Sequence, residues 1–290
     1  MSLLQIVILA IIQGLAELLP VSSSAHVIVA AKLMKLDPST PQFTLLLVML
    51  HTGTMFAVIV YFWTAWKRAF FSSRERFREF ARQVILATIV TGVIGMGLKF
   101  GIESVIKHRQ KVEKAEIEQL FKHLELLAGG LALAGILILI SGLRSAKKTG
   151  REAITTSDSL AIGAIQSLCI PFRGFSRSGA TISVGLLRGV ARIRLEEFSF
   201  ALAVVLTPAV VLWEARRLVS HHAEKAGVAT APLGVHDFYP GLLGMVFSFL
   251  GGLIALKLLS RLLERGQWWL FGVYCLVAAG VVLALYHAGY

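Results

Sequence analysis

The chain has 290 residues, 56% hydrophobic and only 16% charged, with 29 Lys and Arg against 17 Asp and Glu for a formal net charge of +12. A soluble domain is about 45–50% apolar and about 25% charged, so a soluble single core and a disordered chain are both excluded and an integral helical membrane protein is expected. The basic surplus would suggest nucleic acid in a soluble protein; in a membrane protein it fits cytoplasmic loops facing anionic headgroups, and no nucleic-acid partner is expected.

The N-terminus, MSLLQIVILAIIQ, lacks the basic start of a signal peptide and reads as the first helix of the protein. Over 3–36 the apolar run LLQIVILAIIQGLAELL breaks at PVSSSAH, and only VIVAAKLMKL follows. Six segments are long and apolar enough to span a bilayer: 43–66, 83–102, 123–143, 195–214, 240–260 and 268–287. Between the third and fourth, over 160–190, LAIGAIQSLCI breaks at PFRGFSRSGAT, and only ISVGLLRGV follows. Each broken region predicts two half-length helices joined as a hairpin that dips into the membrane and returns. Cys169 and Cys275 form neither a disulfide framework nor a zinc site.

The two broken regions look like copies. Ile12-Gln13-Gly14-Leu15 is similar to Ile165-Gln166-Ser167-Leu168, and each stretch then meets a proline, Pro20 or Pro171, and a Ser-rich turn. Phe43-Thr44 and Phe198-Ser199 open the next spans, and Thr52-Gly53 and Thr207-Pro208 follow each Phe at the same distance. Basic clusters at Lys67–Arg82, at Arg144–Arg151 and at Lys257, Arg261 and Arg265 mark three cytoplasmic loops. Both termini then lie outside. An odd number of spans separates the hairpins, so the second half inserts upside down. The predicted fold is an all-α integral membrane protein with six transmembrane helices plus two re-entrant helix hairpins in two inverted-topology repeats. The repeats cover approximately 1–145 and 155–290 of a single membrane domain, 1–290. Segment 99–125, rich in both Lys and Glu, reads as an amphipathic helix at the outer surface, although its lysines run against the charge rule.

Paired, interrupted short helices are the best sequence pointer to a site embedded in a membrane. Gln13 and Glu17 share one face of the first short helix, and a carboxylate inside an apolar run is costly enough to imply function or a structural ion pair. Ser22, Ser23 and Ser24 either only cap the second short helix or let its N-terminus receive an anion. His26, one turn past Ser23, is a candidate acid, base or nucleophile. In the other hairpin, Gly174 allows a tight turn, Ser176, Ser178 and Thr181 supply hydroxyls, and Arg177 supplies a guanidinium suited to bidentate phosphate binding. Without a ligand, Arg177 would pair with Glu17. His51 either lines the pocket or packs. The pairs His221-His222 and His236-Asp237 have poor metal spacing and read as solvated.

Glu17-Leu-Leu-Pro-Val-Ser-Ser-Ser-Ala-His26 and Gly174-Phe-Ser-Arg-Ser-Gly-Ala-Thr181 resemble the two signatures of the undecaprenyl-diphosphatase (bacitracin-resistance) family, and the resemblance extends over nearly the whole chain. It implies a membrane phosphatase that converts undecaprenyl diphosphate to undecaprenyl phosphate and inorganic phosphate, recycling the lipid carrier of cell-wall synthesis and conferring bacitracin resistance. It implies catalytic roles for Glu17, Ser23, His26 and Arg177, and substrate contacts from Gln13, Ser22, Ser24, Arg173, Gly174, Ser176, Ser178 and Thr181. Gln13 stands where some members carry a carboxylate. The family's Pro-Gly is separated here into Pro171 and Gly174 by Phe172 and Arg173, and Arg173 either adds a phosphate contact or snorkels to the surface.

The expected mechanism places the diphosphate between the hairpins, with attack by Ser23 and proton removal by His26 or Glu17; attack by His26 or by activated water stays open. No organic cofactor and no protein-held metal are expected. A divalent cation, Mg or Ca, is expected to travel with the diphosphate. The partners are a polyprenyl diphosphate lipid and the bilayer, with a homodimer left open. The protein is placed in the bacterial inner membrane as a multi-pass protein opening to the periplasmic side. The competing reading is a transporter or flippase of a lipid phosphate or small anion, since inverted repeats also build carriers.

Overall fold

The computed structural model describes residues 1–37, 40–110, 123–145, 150–225 and 235–289, with the side chains at 41, 42, 109, 110, 210, 213–225 and 235–238 outside that description. Among the described residues the chain is helical throughout, apart from one isolated parallel bridge between Arg151 and Val190. The helices in chain order are α1 (Leu3–Leu18), α2 (Ser23–Leu33), α3 (Pro41–Ala69), α4 (Arg74–Gln110), α5 (Leu124–Ser145), α6 (Thr156–Ser167), α7 (Arg177–Leu187), α8 (Arg192–Lys225), α9 (Val235–Glu264) and α10 (Trp269–His287).

Both broken regions fold as pairs of short helices, α1–α2 and α6–α7. Local chemistry sets their limits. Ser2 and Gln5 form a capping box at the start of α1, and Thr155 and Asp158 form another at the start of α6. Pro20 and Pro171 lie in the turns that follow, where a missing amide costs no helical hydrogen bond. Thr40 caps α3, whose first residue is Pro41. Five long helices are apolar enough to cross a membrane: Phe43–Ala69, Arg74–His108, Leu124–Ser145, Tyr239–Glu264 and Trp269–His287. The protein is therefore a multi-pass membrane protein. The expected span at 195–214 lies within α8.

Helix α4 runs on to Gln110, well past the expected end of its span, because no helix breaker interrupts the sequence there. It takes up the first part of the expected amphipathic segment; residues 111–122 of that segment lie outside the described residues, as do Lys147 and Lys148 of the second basic cluster. The side chains of His221, His222, His236 and Asp237 are likewise outside them.

Part of the packing repeats when the two halves are exchanged. Helix α1 lies against α9 and α6 against α4; α3 lies against α9 and α8 against α4; α3–α8 and α5–α10 map onto themselves. Phe43 and Phe198, at corresponding positions, are both fully buried. Thr52 and Thr207 both donate back to the carbonyl four residues earlier, at 2.8 and 2.7 Å. Small residues permit the closest approach: a Cβ on Gly14 would stand 2.6 Å from the Ser248 carbonyl oxygen of α9.

One end of the bundle is tied by polar bonds. Arg151 and Arg188 both hold the buried carboxylate of Asp158, at 2.8 and 2.7 Å. Arg194 bridges Glu152 and Glu197, Arg192 donates to the Ser145 carbonyl, and Trp66 donates to the Glu197 carbonyl. Tyr61 donates to Ser260, which donates to Glu196. These bonds gather the C-terminal ends of α3, α5, α7 and α9 with the N-terminal ends of α6 and α8. Leaving such groups unpaired in an apolar bundle would cost several kcal/mol each, so the network fixes where the α6–α7 hairpin starts and ends.

Candidate active site

The turns of the two hairpins touch. Ser178 at the start of α7 donates to the Leu19 carbonyl at the end of α1, at 3.4 Å. Around this contact the site is built on Glu17. Gln13, one helical turn earlier, donates to Glu17 Oε2 at 3.1 Å, as the i,i+4 spacing requires. Ser23 Oγ donates to the same oxygen at 2.5 Å. Arg177 Nη2 reaches Oε1 at 3.5 Å from the other hairpin. His51 Nε2 of α3 stands 3.6 Å from Oε2. The Glu17 and Arg177 side chains are about one-fifth exposed, at 19% and 20%, so their attraction is only partly screened.

Helix α2 begins in an unusual way. Ser22 has φ 66° and ψ 94°, in the region that disfavours a side chain, and its hydroxyl does not cap the helix. That hydroxyl instead lies 3.2 Å from Ser24 Oγ. The Ser22 carbonyl accepts a hydrogen bond from His26 Nδ1 at 2.8 Å, so Nδ1 carries the proton and Nε2 is the acceptor of a neutral ring. Nε2 accepts from the Tyr274 hydroxyl of α10 at 2.7 Å, and the two rings stack at 13°. His26 is thus bound through both nitrogens.

Helix α7 begins conventionally. Ser176 caps it by accepting from the Gly179 amide at 3.2 Å. Gly174 turns with φ 94°, and a Cβ there would fall 2.4 Å from the Leu127 carbonyl oxygen, so the turn is pressed against α5. Arg177 also donates to the Ser199 carbonyl at 3.4 Å. Thr181 bonds the Arg177 carbonyl at 2.9 Å and shares a 2.7 Å hydrogen bond with Ser199 Oγ. Arg173 is half-buried, with its backbone carbonyl against Gly130.

The structure therefore brings Gln13, Glu17, Ser23 and Arg177 into one cluster, with Ser178 beside it. Ser22, Ser24 and His26 form the adjoining wall, while Gly174, Ser176 and Thr181 shape the second turn. Sequence reasoning missed Ser199 and Tyr274, whose roles arise from contacts distant along the chain, and left His51 between packing and pocket. Cys275 is buried and donates to the Pro20 carbonyl at 3.3 Å. Among the described residues no group of three or more His, Cys, Asp or Glu side chains is placed to hold a metal ion. Both oxygens of Glu17 already accept from protein donors.

Such a cluster, serine on carboxylate with a guanidinium facing the carboxylate, suits chemistry on an anionic group. The family model described as "Bacitracin resistance protein BacA" matches residues 6–281. The chain belongs to this family. Among BacA-type relatives, the Undecaprenyl-diphosphatase 2 of Acinetobacter baylyi is 56% identical over 288 residues, covering 98% of each chain. The Undecaprenyl-diphosphatase of Syntrophotalea carbinolica is 34% identical over 98% of this chain and 99% of its own. That of Desulfosudis oleivorans is 30% identical over 98% of both.

Proposed function

We propose that this BacA-family protein is an undecaprenyl-diphosphate phosphatase that releases inorganic phosphate and returns the monophosphate lipid to cell-wall synthesis, thereby conferring bacitracin resistance. The observation that carries the reading is the Ser23 hydroxyl bound to the Glu17 carboxylate, with Arg177 facing Glu17 across the two hairpins. The named relatives are similar over their full length.

The residues divide the work as follows. Arg177 meets the diphosphate oxygens and stabilises the charge that spreads over the terminal phosphoryl group in the transition state. The start of α2, uncapped by Ser22, turns its first amides toward the same anion. Ser23 Oγ attacks the terminal phosphorus, and Glu17, already its hydrogen-bond acceptor, takes the proton. Ser22, Ser24 and Ser178 add hydroxyl contacts. Any divalent cation, Mg or Ca, comes with the diphosphate and is held by its oxygens.

In the bilayer the reading is of two inverted repeats, approximately 1–145 and 155–290, each with three spans and one re-entrant hairpin. The paired contacts of α1 with α9 and of α6 with α4, together with the meeting of the two turns, support it. The polar end carries the basic loops and faces the cytoplasm. Both termini and the site then open to the outer side of the bacterial inner membrane, where the polyprenyl tail enters laterally between helices.

The test is phosphate release from undecaprenyl diphosphate by purified protein in detergent. Hydrolysis with a phosphoserine trapped by acid quench at Ser23 is the expected result. Binding of the lipid with no phosphate release would instead leave a carrier.

A further inference from the structure

Two histidines adjoin the site, and they are held differently. His26 has both ring nitrogens engaged, Nδ1 with the Ser22 carbonyl at 2.8 Å and Nε2 with Tyr274 at 2.7 Å. Neither bond leads to Ser23 or Glu17. His51 donates Nδ1–H to the Leu47 carbonyl at 2.8 Å, one turn back in α3. That bond fixes the tautomer and turns Nε2 toward Glu17 Oε2 at 3.6 Å, the same oxygen that accepts from Ser23. The His51 side chain is 35% exposed on the protein surface.

We infer that His51 exchanges the reaction's proton with Glu17, while His26 holds the strained Ser22 turn through the Ser22 carbonyl. The inference rests on the hydrolase reading above. As Ser23 Oγ bonds the terminal phosphorus, its proton passes to Glu17 Oε2. The bond from that phosphorus to the bridging oxygen breaks, and the lipid monophosphate leaves with the electron pair. Glu17 hands the proton to His51 Nε2, which becomes cationic and releases it to water; Glu17 is again anionic. Water then attacks the phosphoserine and gives a proton to Glu17, which returns it to Ser23 Oγ as inorganic phosphate departs. Each cycle consumes one water and releases one proton, in balance with hydrolysis of a phosphoric anhydride.

The charged and titratable groups around this pair come from several elements; on α8, which also packs against α3, Glu196 and Glu197 are bonded to Ser260 and Arg194 at the polar end. Glu17 and the neutral Gln13 come from α1, Ser23 from α2 and Arg177 from α7; from α9 the neighbour of this stretch of α3 is the uncharged Ser248, bonded to the Leu50 carbonyl. Arg177 is a fixed cation at every working pH. The pH response of the cluster is therefore that of the Glu17–His51 pair, read together with the substrate's own phosphate ionisation. At low pH a cationic His51 leaves Nε2 no lone pair to receive the proton, and turnover falls.

His51→Gln keeps a polar side chain beside Glu17 but cannot titrate. We expect kcat to fall about 10–100-fold with KM changed less than about threefold, the size of one lost proton-transfer partner. The acid-side rise in kcat/KM expected for the wild type should flatten, while His26→Gln should keep that rise in its residual activity. A His51→Gln enzyme within threefold of wild type and with an unchanged pH profile overturns the inference. If the wild type itself releases no phosphate, the hydrolase reading fails and takes this one with it, an outcome told apart by activity missing from both proteins.

Discussion

The two hairpins share a sequence pattern and use it in opposite ways. In the first, Gln13 turns inward to Glu17, the following turn is strained at Ser22, and α2 starts without a side-chain cap. In the second, the matching Gln166 is buried against Thr91 of α4 at 2.9 Å, no carboxylate follows, glycine takes the positive-φ position, and Ser176 caps α7. The first hairpin keeps its donors and nucleophile available and is braced from outside by Tyr274 of α10, through His26. The second caps its own helix and contributes one aimed cation, Arg177. A pseudo-symmetric frame thus carries an asymmetric site, the nucleophile and base on one half and the charge clamp on the other.

The contrast is broken most severely at Ser23. Ser23→Ala should reduce phosphate release by about 10⁴-fold, the scale on which removing a nucleophile leaves only binding and charge stabilisation, and no phosphoenzyme should be trapped. A loss below tenfold would transfer the nucleophile's role to water. Arg177→Ala comes next, with a loss of about 10³-fold from one missing charge-stabilising donor. Arg177→Lys should recover little of it, because an ammonium does not reproduce the bidentate guanidinium. Both proteins should elute as folded monodisperse species in detergent, since neither residue lies in the polar network at the far end of the bundle. Normal turnover by Arg177→Ala would show that the second hairpin supplies shape and no charge.

The hairpins were legible because breaks in apolar runs are conspicuous. Pro20, Pro171 and the serine-rich turns interrupt segments that otherwise read as spans, and the i,i+4 pair Gln13–Glu17 places a carboxylate beside the break. Ser178 and Arg177 were legible as polar groups with no cheap place in lipid. The alignment of Gln13 with Gln166 was also legible, but not its divided use, which depends on what α4 presents to α6. Tyr274 lies 248 residues from His26, and a tyrosine in an apolar helix is ordinary. His51 shows why a lone histidine is ambiguous: only the Leu47 bond and the approach of α1 decide where Nε2 points. The overextension of α4 beyond residue 102 was hidden because charged residues lower hydropathy without breaking a helix.

The second hairpin's anchorage can be tested at Asp158. Burial pushes its carboxyl up, but the hydrogen bonds from Arg151, Thr155 and Arg188 outweigh that and hold it well below the usual carboxylate range. A depressed folded value means the contribution is complete above about pH 4, the ordinary range of an aspartate, and is lost as pH falls toward the folded value. Asp158→Asn should cost about 3 kcal/mol at pH 7, because it leaves two arginines facing a buried amide. The gap between the two proteins in thermal unfolding should narrow as the pH is brought below 4. A gap independent of pH would assign the loss to the capping box alone.

The smallest effects separate the two turns themselves. Gly174→Ala forces a Cβ into positive φ and against the Leu127 carbonyl, which should destabilise the protein by about 2 kcal/mol. The reverse experiment at Ser22 removes a Cβ from positive φ, and Ser22→Gly should raise stability by about 1 kcal/mol, less whatever the bond to Ser24 contributes. Stability and activity are expected to move in opposite directions here. A glycine frees the peptide that presents the first amides of α2, so the orientation of Ser23 toward Glu17 is held by His26 alone, and kcat should fall about three- to tenfold while unfolding shifts upward. Unfolding temperature and kcat measured on the same preparation decide the matter. If Ser22→Gly is both more stable and fully active, the strained turn is incidental to presenting Ser23, and the functional difference between the hairpins reduces to which one carries the carboxylate.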